Sequence, residues 1–251
     1  MRDPVQILLA PILIAQGKRL RRTLVIPPEP PGEREGATGA GAPLGLLVVG
    51  DSAAAGVGAP HQREALLGRL VERLAADHAV AYRLIARTGA TTARTLRHLG
   101  RVEPGAFDVA VTSLGVNDLT SGRALGPWLA DSAALRATLR ERFGVRHVVV
   151  SGFPPVEQFP AIPQPLRWVL GRSARRYGRA LQAQVAAEPG ATFIGIDTPA
   201  LEHDASVDDM AADGFHPGPR IFAEWARRAE AAIRAAEAAG AFAPGASAAG
   251  R

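Results

Sequence analysis

Residues 44–52 read Leu44-Gly45-Leu46-Leu47-Val48-Val49-Gly50-Asp51-Ser52, an aliphatic run that stops at a glycine, a carboxylate and a hydroxyl. A short, nearly continuous apolar run with a polar turn behind it fits a strand buried on both faces, the environment of a parallel sheet. Reading outward, the pattern recurs at 79–85 (AVAYRLI), 107–113 (FDVAVTS), 147–151 (HVVVS) and 192–196 (TFIGI). Helical periodicity fills the intervals at 63–77, 91–99, 128–143, 168–187 and 218–238, with Leu66, Leu67, Leu70, Val71 and Leu74 on one stripe of the first. This alternation implies right-handed crossovers and an α/β fold, a three-layer α/β/α sandwich of about five parallel strands.

The folded domain is expected over 44–239. Ahead of it, 27–43 (PPEPPGEREGATGAGAP) has the composition of a Pro/Gly-rich linker, and 240–251 that of a disordered tail. Residues 1–26 form an apolar and basic N-terminal segment in which the run 5–15 (VQILLAPILIA) precedes Lys18, Arg19, Arg21 and Arg22. A secretory signal places its positive charge first, and a run this short, broken by Pro11, cannot span a bilayer, which takes about 20 residues. Two readings remain for it: a segment packed on the domain, or a peripheral membrane contact with its basic flank against lipid phosphates. A cytoplasmic or peripherally membrane-associated location is expected over a secreted one.

The chain has 251 residues, 47% of them apolar, enough for one sizeable core. It has no cysteine, which excludes disulfides, thiolate metal sites and a cysteine nucleophile. The net charge is +5, carried almost wholly by arginine, since Lys18 is the only lysine. The basic residues are not gathered in the sequence, and no nucleic-acid partner is expected.

In an open parallel sheet, ligands bind beyond the carboxyl ends of the strands. Gly50-Asp51-Ser52 follows the first strand and Arg87-Thr88-Gly89-Ala90-Thr91 the second; Gly115-Val116-Asn117-Asp118 follows the third, and Asp213-Gly214-Phe215-His216-Pro217 comes after the last. A serine attacks only when a base takes its proton, and that base must itself be oriented. A spacing of three residues lets Asp213 reach one ring nitrogen of His216 and leave the other for Ser52, and Pro217 suggests a helix starting directly after the histidine. Donors for an oxyanion are the backbone N–H of Ser52, the backbone N–H of Gly89 and the side-chain amide of Asn117. Ser52 also fits a helix N-cap, Gly89 a simple positive φ, and His203 is a second, weaker candidate for the base. Asp51 and Asp118 read as supports for their loops. Trp128 and Trp168, at helix starts, read as core. The proline-rich stretch 153–168 is either a lid or binding wall, or a rigid connection.

These four blocks, in this order, resemble the SGNH (GDSL-like) serine hydrolases, whose motifs are Gly-Asp-Ser, an isolated glycine, Gly-x-Asn-Asp and Asp-x-x-His. Ala53 departs from the leucine that many members carry after the serine. The resemblance implies a flavodoxin-like sandwich and an esterase, lipase or acyltransferase that uses neither metal nor organic cofactor. The expected substrate is a small-molecule carboxylic ester of short to medium acyl chain, with lysophospholipids and O-acetyl groups conceivable. Acyl transfer by the same residues and a non-catalytic flavodoxin-like binding module are the alternatives. With His216 as the base, turnover falls in acid as the imidazole protonates; a pH–rate profile checks this, and a flat profile from mildly acidic to neutral pH would reassign the base.

Overall fold

The structure, a computed structural model, describes residues 4–196 and 209–242. Its strands are β1 (Glu35–Thr38), β2 (Ala42–Gly50), β3 (His78–Ala86), β4 (Val109–Ser113), β5 (His147–Ser151) and β6 (Ala191–Ile194). Its helices are α1 (Pro4–Thr23), α2 (Leu66–Leu74), α3 (Thr92–Leu99), α4 (Val116–Thr120), α5 (Leu125–Phe143), α6 (Leu166–Ala186) and, last in the chain, α7 (Pro219–Ala238). The strands make one sheet in the order β1-β3-β2-β4-β5-β6. Strands β2 to β6 run parallel, and their order is that of flavodoxin-like folds, with the switch point between β2 and β4.

Alternation along β2 builds both cores at once, because successive side chains in a strand point to opposite faces. Leu44, Leu46 and Val48 face α2 and α7, joining Leu66, Leu70 and Leu74 with Phe222, Trp225 and Ile233. Leu47 and Val49 face the other way, into Leu99 of α3, Trp128 and Phe143 of α5, and Leu181 of α6. The sandwich expected from the sequence is therefore present, with a sixth strand added.

That sixth strand is the main departure. The stretch 27–43, expected to be a linker, holds β1 and the first residues of β2. Polar bonds order it where apolar burial cannot. Strand β1 pairs antiparallel with β3, Arg83 donates to Glu35, and the Glu29 carboxylate accepts from both the N–H and the hydroxyl of Thr88 while pairing with Arg34. At the other end, Phe242 is buried beside His147, so the packed part of the chain runs past residue 239. Trp128 is core, as expected, whereas Trp168 is 39% exposed with Arg172 over its ring.

Helix α1 lies on α6. Leu13 and Leu20 pack against the second core, Gln16 bonds the backbone at Gln164 and Leu166, and Arg21 donates to the Thr120 carbonyl. Leu8, Ile12 and Ile14 stay exposed. Among the described residues no helix is long and apolar enough to cross a membrane.

Leu70 is fully buried between α2, α7 and the sheet. Leu70→Ala is expected to lower unfolding stability by about 2–5 kcal/mol, through lost burial plus a residual cavity. Urea unfolding measures it; a loss under about 1 kcal/mol would mean that this layer is loosely packed.

Candidate active site

Every loop singled out in the sequence opens on the carboxyl edge of the sheet at the switch point. Residues 51–60 leave β2 as a series of turns, not as a helix, so Ser52 caps nothing and its N-cap reading falls away. His216 and Asp213 arrive on the loop before α7. The two loops are held together by a backbone approach: a Cβ on Gly58, whose φ is +103°, would stand 2.2 Å from the Pro217 carbonyl oxygen. Only glycine fits there. Pro217 does not start the helix, as the sequence suggested; it bridges to Met210, and Pro219 takes the first helical position behind Gly218. His216 is thus fixed by a β-bridge, with the Ala211 N–H donating to its carbonyl.

The side chains form a hydrogen-bonded row. Nε2 of His216 is 2.9 Å from Ser52 Oγ, and its Nδ1 is 2.5 Å from Asp213 Oδ2. Asp213 Oδ1 accepts the backbone N–H groups of Phe215 and His216, each at 3.0 Å. Burial works to raise the Asp213 carboxyl, but the His216 ring and these two N–H groups outweigh it and hold it below its ordinary value. Asp213 therefore stays ionised beside the imidazole and fixes which ring nitrogen faces the serine. His203 lies outside the described residues.

The oxyanion candidates divide into two kinds. Among the described residues, neither the Ser52 N–H nor the Gly89 N–H has an acceptor. Gly89 is exposed at φ +74°, and a Cβ there would meet nothing within 4 Å. The backbone angle, not crowding, calls for glycine. Asn117, in the first turn of α4, lies at the same place, but its amide nitrogen already donates to Asp51 Oδ2 at 3.2 Å and to the Ala90 carbonyl at 3.0 Å.

The supporting acids have separate tasks. Asp118 Oδ2 accepts the N–H and hydroxyl of Thr92, and the indole of Trp128 donates to that same hydroxyl. This locks the start of α3, and with it the Gly89 loop, to α4. Asp51 accepts the Ala53 N–H and is buried under the serine. Burial pushes its carboxyl up to about 7, against the Ala53 N–H and the His216 ring, with Asp118 adding to the rise.

Beside Ser52 lies a small apolar recess of about 60 Å³, whose walls include Leu114, Phe159, Met210, Phe215, Ile221 and Trp225. Phe159 belongs to the proline-rich stretch 153–168, which is a packed wall: Val156, Phe159 and Ile162 are buried, Phe159 meets Phe215 edge-on, and the Ala161 N–H donates to the Gly214 carbonyl. Of these lining residues, Phe215 and Phe159 carried a sequence signal, one inside the Asp-x-x-His block and the other in the proline-rich stretch. Met210, Ile221 and Trp225 look like ordinary core until the fold places them.

The raised Asp51 carboxyl has a consequence for stability. Native protein keeps a proton here that the unfolded chain has already lost, so this group's contribution falls as pH rises from about 4 to about 7 and is level above that. Asp51→Asn is expected to gain stability over the parent progressively across that range, by up to about 4 kcal/mol. Denaturation of both proteins against pH measures it, and a constant offset between them would refute it.

Known proteins share the family and the fold of this chain. The GDSL-like Lipase/Acylhydrolase family matches residues 48–240. The GDSL-like esterase Rv1075c of Mycobacterium tuberculosis is 31% identical over 185 residues, which is 71% of this chain and 58% of that protein. In fold, a lipolytic G-D-S-L protein of Veillonella parvula superposes with TM-score 0.59 at 16% identity, over 76% of this chain and 98% of its own. The acetylxylan esterase Axe2 of Geobacillus stearothermophilus does so with TM-score 0.57 at 18% identity, over 77% and 95%. With the four blocks in order, the flavodoxin-like sheet and a family match running from β2 to the end of α7, this chain belongs to the GDSL-like lipase/acylhydrolase family.

Proposed function

We propose that this protein hydrolyses short-chain carboxylic esters through an acyl-enzyme on Ser52. The observation that carries the reading is the unbroken row from Asp213 Oδ2 to His216 Nδ1, and from His216 Nε2 to Ser52 Oγ, at 2.5 and 2.9 Å. His216 takes the hydroxyl proton as Ser52 Oγ bonds to the acyl carbon, and ionised Asp213 stabilises the imidazolium that forms. The negative charge on the former carbonyl oxygen falls to the unclaimed N–H groups of Ser52 and Gly89. Asn117 joins them by exchanging one of its present acceptors for the oxyanion. Collapse breaks the ester C–O bond, and His216 gives its proton to the departing alkoxide. Water, activated by the same imidazole, then frees the acid and restores the serine.

The recess suits the acyl half. Its lining is mostly apolar, and about 60 Å³ holds a few heavy atoms, not a long chain. The order of preference is thus expected to run from acetyl to butyryl, with a steep fall at longer acyl groups. Kinetics on a homologous series of aryl esters test it; a maximum at octanoyl or beyond would show that the walls open.

Ser52→Ala is expected to lower kcat by on the order of 10³-fold or more while leaving the fold unchanged. An organophosphate or sulfonyl fluoride is expected to label Ser52 in the parent and nothing in that variant. Substantial residual turnover in Ser52→Ala would end the proposal. Supplying a competing alcohol during turnover separates hydrolysis from acyl transfer, since a transferred acyl group appears as a new ester.

A further inference from the structure

A second, larger cleft of about 470 Å³ opens between the end of β3 and α3. It meets the active site at Gly50 and Gly89. Its charged lining is Arg87, Arg94, Arg97 and Arg101, with His98 among them, and no carboxylate lines it. Glu29, the acid that reaches its edge at Thr88, is already paired with Arg34. Among the described residues none of the four arginines makes an ion pair.

Helical spacing explains how the charge collects. Positions 94, 97, 98 and 101 are three, four and seven residues apart, which sets their side chains on one face of α3 and its extension. Like charges at this spacing repel one another. The helix dipole accounts for Arg97 and His98 in the last turn, but it disfavours a cation at Arg94 in the first turn and leaves Arg87 unexplained. A positive field without counter-charge, open to solvent and adjoining the reacting carbonyl, is a device for drawing in an anion.

Building on the serine-esterase reading, we propose that this cleft binds an anionic group, a phosphate, sulfate or carboxylate, carried by the alcohol half of the ester. The assignment of halves follows from the linings of the two chambers, the recess at Ser52 and the cleft at Gly89. The recess is mostly apolar, carries no arginine or lysine and can bury a short acyl group, whereas the cleft has the volume and the donors for a charged alcohol. Gly89 stands at the junction, so a carbonyl oxygen held by its N–H sends the acyl group one way and the ester oxygen the other. The alcohol then leaves with the proton from His216 and keeps its own anion.

The test uses acetyl esters that differ in the charge on the alcohol: 4-acetoxyphenyl phosphate, 4-acetoxybenzenesulfonate and 4-acetoxybenzoate against neutral 4-acetoxybenzamide. The parent is expected to favour the anionic esters by roughly tenfold in kcat/KM at low ionic strength, with the preference shrinking as salt rises. In Arg94→Gln/Arg97→Gln the anionic-to-neutral ratio is expected to fall several-fold, a comparison in which intrinsic leaving-group reactivity cancels. Calorimetric binding of 4-hydroxyphenyl phosphate to the Ser52→Ala protein, expected to weaken in the arginine variant, reads the cleft without catalysis. Ester turnover with a ratio unmoved by salt or by the arginine changes overturns the cleft and leaves the esterase standing. Binding of the phosphate without turnover of any ester overturns the esterase and leaves the cleft standing. A preference for 4-nitrophenyl hydrogen succinate, charged on the acyl side, over all the anionic alcohols overturns the assignment of halves.

Discussion

The backbone at Gly58 lies against the backbone at Pro217, and the rest of the site depends on that approach. It joins the turns after β2 to the loop before α7, which is how an imidazole and a hydroxyl 164 residues apart come within 2.9 Å. Neither loop is regular structure, so neither has a ladder of its own to fix it. Their mutual contact, the bridge from Met210 to Pro217 and the Asp213 carboxylate on two backbone N–H groups do that work instead. Any side chain at position 58 would run into the Pro217 carbonyl oxygen, directly after His216.

The parallel sheet was legible because its strands are buried on both faces and are therefore written in aliphatic residues. Leu46 to Val49 and His147 to Ser151 can be little else. The helices behind them show the complementary stripe, plainest in α2. Strand β1 was not legible, since Glu35-Gly36-Ala37-Thr38 is exposed throughout and its order comes from pairing and ion pairs that no periodicity records. Among the site residues, the motif blocks could be found by their positions after strand ends. The recess could not, because Met210, Ile221 and Trp225 differ from the surrounding core only in what the fold sets beside them. The arginines of the cleft were not legible for a related reason: scattered along 87–101, they become a field only when the fold sets the end of β3 beside α3.

Electrostatically, the two chambers near the serine are opposites. The recess at Ser52 is mostly apolar, with Phe159 and Phe215 in its wall, and the cleft between β3 and α3 is walled by guanidinium groups. Beneath the serine is Asp51, whose carboxyl burial keeps near the edge of ionisation. Its Oδ2 is one of the two acceptors that hold the Asn117 amide. The orientation of that amide and the charge on Asp51 are therefore coupled, and the donor geometry beside Ser52 is linked to a proton bound out of reach of solvent.

Strand β1 has a consequence of another kind. Without it, β3 would be the margin of the sheet, a nine-residue strand offering unpaired N–H and C=O groups to any neighbouring chain. The four residues of β1 cover β3 from Val80 to Arg83 and put a carboxylate and a glycine at the new margin. A margin this short and polar is a poor template for recruiting a second molecule, so the least hydrophobic strand of the fold guards it against self-association into fibrils.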